Sequence, residues 1–338
     1  MKIIDEEKNK EMVVTNTEDI PMKHLEEEST VGIPKEYVPI SLSTKGKFGI
    51  PPVVYVKNFS LEDIVELSVA SDEIIREKLI FILNSLMYNN KVSVSDFPEP
   101  IVIELIVKMY ANFFSSTLEL PFTVTEEDKK YAEEHSIPIP LNPTITIDLT
   151  KIKTYPIDPK IKNYIIVKRD KEPKFFAKFK AYPTLGDTIF LQKYIRERFE
   201  SEDREFKEVE KLIKEGKEDE LSLKLKIDYN NYFLEKVRTS LLLSKILCLL
   251  EVNGINMEYM KIDEKLEIYN KIPALHDIQV YKKVEKFYNS LNLGIIPEME
   301  VKNPITKQVC TRRFTFRLVD LLQTIYLSDT NEYDICYD

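Results

Sequence analysis

The chain has 338 residues, 43% of them hydrophobic and 10% aromatic, which is enough for two or three cores and too apolar for a disordered protein. Its 48 Lys and Arg against 57 Asp and Glu leave a net charge of -9, which works against chain-wide binding to a phosphate backbone. Cys248, Cys310 and Cys336 give neither a disulfide framework nor CxxC spacing, and the 7 glycines form neither GxGxxG nor GxxxxGKS/T, which disfavours a glycine-cradled phosphate.

The opening stretch MKIIDEEKNKEMVV has no apolar core behind a basic end, so no secretory signal is expected. Residues 1–33 carry nine acids and four lysines and read as a flexible or partner-ordered arm. From 34 to 136 we expect an extended, β-like stretch followed by a helical module. KEYVPISLSTKGKFGIPPVVYVKNF alternates and breaks at Gly46, Gly49 and Pro51-Pro52, giving two extended segments around a turn. Ser60 with Asp63 three residues later opens a helix bearing Leu61, Ile64, Val65 and Leu67. A second amphipathic helix runs from about Glu73 to Tyr88, Pro98-Glu99-Pro100 starts a third that reaches Phe114, and Thr125 with Asp128 caps a short fourth.

Between 137 and 183 a small basic antiparallel sheet is expected, built from ITIDLT at 145–150, NYIIVKR at 163–169 and KFFAKFKAY at 174–182. Residues 151–180 hold ten Lys or Arg and three acids, whereas 197–220 hold eleven acids and six Lys or Arg, so charge is segregated. The region 184–292 reads as a helical module. Thr184 and Asp187 open its first helix, a long helix from about Asp228 to Val252 reads as a central strut buried on several sides, and Asn253-Gly254 stops it. Helices near 263–271 and 275–291 come next. Residues 293–338 supply a β-hairpin around Asn303-Pro304 and a last helix from Leu318 to Tyr326.

The predicted fold class is therefore α+β, mainly α-helical: a helical N-terminal module, a small antiparallel β-sheet in the middle, and a long central helix and helices closing on a C-terminal β-hairpin. The hairpin VKNPITKQVCTRRFTF has the outline of a zinc ribbon without its thiols, because Asn303 and Thr306 stand where a knuckle's cysteines would. Val301, Val309, Phe314 and Phe316 must then supply its stability. No metal, cofactor or catalytic residue is assigned. Cys248 lies in an apolar helix as a core filler, and adjacent His276-Asp277 point about 100° apart on a helix and form no dyad. His24 and His135 occupy ordinary solvent-facing positions. Lys168, Arg169, Lys174, Lys178 and Lys180, interleaved with Tyr164, Phe176 and Tyr182, are the candidate partner-binding set, since cations among aromatics suit single strands as well as proteins. The same pattern also arises when lysines protect a sheet edge or when Phe176 lies under a helix.

Taken in order, three stretches resemble the baseplate hub and hub-assembly proteins of contractile-tailed bacteriophages. VPISLSTKGKFGIPPVVYVKNFSLEDIVELS resembles the family's opening pattern, AKFKAYPTLGDTIFLQKYI its strand, proline and Gly-Asp junction at Pro183, Gly186 and Asp187, and LGIIPEMEVKNPITKQVCTRRFTFRLVDLL its closing hairpin. The resemblance spans about 36–325 and departs at Asn303 and Thr306. It implies a non-enzymatic phage protein that builds or chaperones the baseplate hub by docking to other tail proteins. It would work in the host cytoplasm during assembly, and the resemblance is compatible with retention in the virion. A homo-oligomer is also compatible with it, a membrane is not expected, and nucleic acid is a disfavoured partner, kept as the alternative function through the sheet at 164–182.

Overall fold

The structure is a computed structural model and describes residues 33–70, 74–88, 92–170 and 174–314. The first core is built on β1 (Val38–Ser41) and β2 (Val53–Val56), paired antiparallel with Val38 opposite Val56. Helices α1 (Leu61–Ser68), α2 (Ile75–Leu86) and α3 (Glu99–Phe113) come after them in the chain. In α3 proline occupies the N-cap and the first turn, where its missing N–H costs nothing. Ile101, Val102, Leu105, Ile106, Val107 and Met109 bury α3 on several sides. Glu104 is fully buried among them, and it is tolerated there because it accepts from the Ser43 backbone N–H (2.9 Å), the Ser43 hydroxyl (2.5 Å) and the Lys108 ammonium (2.6 Å). Lys108 also donates to Ser41 O, so the network ties the turn after β1 to α3.

β3 (Thr117–Pro121), α4 (Glu126–Glu134) and β4 (Thr144–Asp148) complete this half, with β3 and β4 antiparallel and Leu118, Ile145 and Ile147 turned into the core. The expectation that 145–150 joins the strands at 163–182 is thus corrected. Its alternate residues complete the core that α3 fills, and Pro156 and Pro159 separate it from the next strand.

The second core begins with β5 (Tyr164–Arg169) and β6 (Phe175–Lys180), then α5 (Leu185–Glu205), α6 (Lys207–Lys214), α7 (Leu223–Leu247), β7 (Leu249–Val252), β8 (Ile255–Asn256), α8 (Ile262–Lys271) and α9 (Ile278–Ser290). The sheet order is β5-β6-β7-β8, all antiparallel. The long helix expected to reach Val252 ends at Leu247. Asn253 (φ 47) and Gly254 (φ 84) form the two-residue turn between β7 and β8. A left-handed pair at Asn-Gly is the signature of a twisted hairpin, which here prevails over the helix-stop reading.

The chain then returns to the first core through β9 (Glu298–Lys302) and β10 (Val309–Arg313), an antiparallel pair whose Val301 and Ile305 are buried with Ile40, Leu105 and Ile147. The second core is therefore inserted into the first. At the outgoing junction Leu185 is buried in the first core and its N–H donates to Phe97 O at 2.7 Å, and a Cβ on Gly186 would meet Ser95 O at 3.1 Å. At the return, Gly294 has φ +74 and a Cβ there would lie 2.5 Å from Pro100 O. Ser60, Thr125 and Thr184 each accept from the N–H three residues on, and Asp63, Asp128 and Asp187 reach back to the cap N–H, completing the three expected capping boxes. Among the described residues no helix is long and apolar enough to cross a membrane. The arm at 1–32, the helix expected at 318–326, His24, Phe316 and Cys336 lie outside the described residues.

Candidate functional site

The five candidate cations do not form one patch. Register places Lys168 opposite Phe176, Ile166 opposite Lys178 and Tyr164 opposite Lys180, so these residues share one face of the sheet, with Lys174 in step by alternation. Arg169 pairs with Phe175 on the other face, where it lines a cavity of about 210 Å³ with Val167, Asp277 and Lys283 of the α9 side. Lys180 is neutralised by Asp187, with Nζ–O distances of 2.8 and 2.9 Å. Lys178 lies 4.2 Å from the centre of the Tyr164 ring and has Glu251 of β7 as its register neighbour. The face that remains is Tyr164, Ile166, Phe176 and Lys178 with Lys168 at its rim, more mixed than the alternation suggests.

At the hairpin turn the Asn303 side chain organises the backbone. Its Oδ1 accepts from Ile305 N–H (2.8 Å) and Thr306 N–H (3.1 Å), while its Nδ2 donates to Asp128 Oδ1 (2.7 Å). Arg312 NH2 approaches Asp128 Oδ2 at 3.5 Å from β10. Burial raises the Asp128 carboxyl, but the Thr125 N–H and hydroxyl, the Asn303 amide and the Arg312 guanidinium outweigh it and hold it below the usual value. Of the residues expected to stabilise the hairpin, Val301 is buried and Phe314 half-buried, but Val309 is 73% exposed. Val309 sits on a two-stranded ribbon with one covered face, and Ile305, in the turn itself, takes the buried role.

Cys248, His135 and His276 have structural roles, while Cys310 is half-buried on β10. Cys248 caps the end of α7, and burial pushes its thiol up to about 11. Beside it Lys265, 4% exposed, donates to Leu247 O (3.2 Å) and Leu249 O (3.1 Å) across the helix-to-strand joint, and burial, reinforced by Lys180, lowers its ammonium. His276 Nε2 donates to Tyr269 O at 3.0 Å and stacks on that ring, and His135 Nδ1 donates to Tyr131 O at 2.9 Å. Asp277 caps α9 through Gln279 N–H. Among the described residues no group of three or more His, Cys, Asp and Glu is arranged to hold a metal ion.

The largest departure from expectation concerns α7. Its composition predicts burial on several sides, and it is buried on one. Leu225, Tyr229, Tyr232, Leu243 and Ile246 face α5, α6 and α8, and the Tyr232 hydroxyl and Lys236 both engage Asp203 of α5. On the opposite side Leu223, Ile227, Leu234, Val237 and Leu241 are 38–75% exposed. Helical pitch at 100° per residue puts these five within about 80° of one another and diametrically across from Tyr232 and Leu243. The signal is in the sequence: 223, 227, 230, 234, 237 and 241 alternate steps of four and three, a heptad row apolar at every position but Asn230, which does not say what covers it.

No protein-family model, curated protein or solved structure matches the chain.

Proposed function

We propose that the protein is a non-catalytic assembly component of a contractile phage tail, which builds or chaperones the baseplate hub by docking to other tail proteins. The observation that carries the docking reading is the apolar row on α7, exposed along about 27 Å of a helix whose other face is already packed. Monomeric proteins seldom leave such an apolar strip, broken only at Asn230, in water, so a partner is the natural account of it. The phage assignment rests on the ordered resemblance of 36–325 to hub proteins. Two of its marker residues have a physical role in joining the cores: Gly186 admits the close approach to Ser95, and Asp187 both caps α5 and pairs with Lys180. The test is a phage carrying Leu234→Asp and Leu241→Asp, both exposed positions. The folded protein should accumulate while baseplates fail to form, and a normal particle yield would overturn the docking reading. Mass spectrometry of purified particles beside infected-cell lysate then shows whether the protein leaves or stays.

A second reading is supported by the Lys178 ammonium over Tyr164, next to Ile166 and Phe176: a platform on which single-stranded nucleic acid could stack. Reversing Lys168, Lys174 and Lys178 should abolish a salt-dependent shift of single-stranded DNA or RNA, and absence of any shift at low salt removes this reading.

A further inference from the structure

We infer that the partner of the α7 row is an acidic amphipathic helix, which lays a heptad strip along Leu223, Ile227, Leu234, Val237 and Leu241 with carboxylates on both its flanks. This rests on the docking reading above and adds the chemistry of the partner. The row keeps strict heptad spacing through position 244, with Asn230 and Ser244 as its polar members, and a helix rather than a strand or loop matches a 3.5-residue repeat over five turns. A single Asn in such a strip sets register, because only a partner that offers it a hydrogen bond avoids burying a bare amide.

Charge selects among helices. The positions that border the strip are Lys224, Lys226, Asn231, Phe233, Arg238, Ser240 and Lys245, of which four are cationic and none acidic. Asp228 and Glu235 lie further round the helix, away from the strip. Lys245 rests on the Tyr281 ring at 4.8 Å, while Lys224, Lys226 and Arg238 make no ion pair among the described residues. Beside Phe233, a cavity of about 270 Å³ opens between α6 and α7, lined by Val209, Ile213, Leu221 and Tyr229, with Lys226 and Glu218 at its edge. It offers a large apolar side chain of the partner a place to anchor at one end of the row.

A second copy fits less well. The antiparallel alignment that matches apolar layers, Ile227 of one copy against Val237 of the other and Leu223 against Leu241, also sets Lys224 against Arg238 twice. A parallel alignment leaves every bordering cation without an acid. Like charges at these positions disfavour both arrangements.

The experiment uses the full chain and two synthetic 28-residue heptad helices, identical in their Leu and Ile core and carrying Glu or Lys at all bordering positions, with binding read by fluorescence anisotropy. The Glu helix should bind at least tenfold more tightly than the Lys helix at low salt, with the gap closing in 0.5 M NaCl. Lys224→Glu, Lys226→Glu and Arg238→Glu together should reverse the preference, and Leu234→Asp should abolish binding of both, with circular dichroism unchanged. Equal binding of the two helices, or binding of neither, overturns the inference. So does a concentration-dependent dimer dissolved by Leu234→Asp, which would make a second copy the occupant. Tenfold tighter binding after Glu6, Glu7, Glu26, Glu27 and Glu28→Gln would show that the chain's own acidic arm covers the row, and would overturn it as well. If Leu234→Asp with Leu241→Asp blocks baseplate formation but neither helix binds, the docking reading stands and only this partner chemistry fails.

Discussion

Replacing Asn303 by Ala tests how the hairpin holds without thiol ligands. Three hydrogen bonds vanish at once: those from Ile305 N–H and Thr306 N–H, and the one given to Asp128. Ile305 is 1% exposed and Asp128 3%, so water cannot readily replace the first or the last. A buried N–H without an acceptor costs about 1–2 kcal/mol and a lost donor to a carboxylate about 1.5–2, while the half-exposed Thr306 adds only a few tenths, for a total of about 3–4 kcal/mol. That is a large part of the ~5–15 kcal/mol that holds a typical domain. Hydrogen-exchange mass spectrometry of peptides across 298–314, together with urea unfolding, reads it directly. The Asp variant is more diagnostic, because it keeps both acceptors for the turn but sets a second carboxylate against Asp128. It should be as weak as Ala near pH 7 and recover as the pH falls into the carboxylate range, where one proton is shared between the pair. A loss below 1 kcal/mol in the Ala variant, or pH-independent behaviour of the Asp variant, would refute this account of the turn.

Acid should open the hairpin through Asp128 itself. Its folded carboxyl is held below the ordinary 3.8, so its stabilisation is complete above that value and is lost as the pH falls through the lower folded value. Asp128→Asn should flatten that acid limb in a thermal-melt series, and an unchanged limb would assign it elsewhere. Because the Asn303 side chain organises the turn, EDTA should leave the melting temperature unchanged, and a downward shift would contradict this. Gly294→Ala combines a left-handed φ of +74 with a Cβ 2.5 Å from Pro100 O, and should cost at least about 2 kcal/mol in urea unfolding. Native alkylation with iodoacetamide, mapped by peptide mass spectrometry, should leave Cys248 unmodified until the protein unfolds, since the thiol is 1% exposed and its ionisation is pushed up to about 11.

Features written within a few residues were legible in the sequence. Ser60, Thr125 and Thr184 announce their helices because a cap and the acid three positions later are a purely local interaction. Pairing over distance was not legible. The strand at 144–148 could join either neighbour by its alternation, and only burial of Ile145 and Ile147 beside α3 decides for Thr117–Pro121. Apolar content marks α7 as a strut, but a helix with two apolar faces looks the same in one dimension whether the second face is covered or bare. Alternation places the candidate cations on strands, yet that Lys180 is neutralised depends on Asp187, which comes from α5. In one dimension Asn303 reads as a missing thiol; its positive role needs Asp128, 175 residues away.

The insertion of one core within the other has a consequence for biosynthesis. Val301 and Ile305 complete the packing around Ile40, Leu105 and Ile147, so a nascent chain that has already displayed β1 to β4 outside the ribosome cannot seal them until everything from β5 to α9 has been translated. During that interval the apolar wall meant for the hairpin stands open, while most of the inserted segment's buried side chains pack within its own core. Closure of the first core is thus the last step of synthesis, because the hairpin that completes its packing is made only after the segment it encloses.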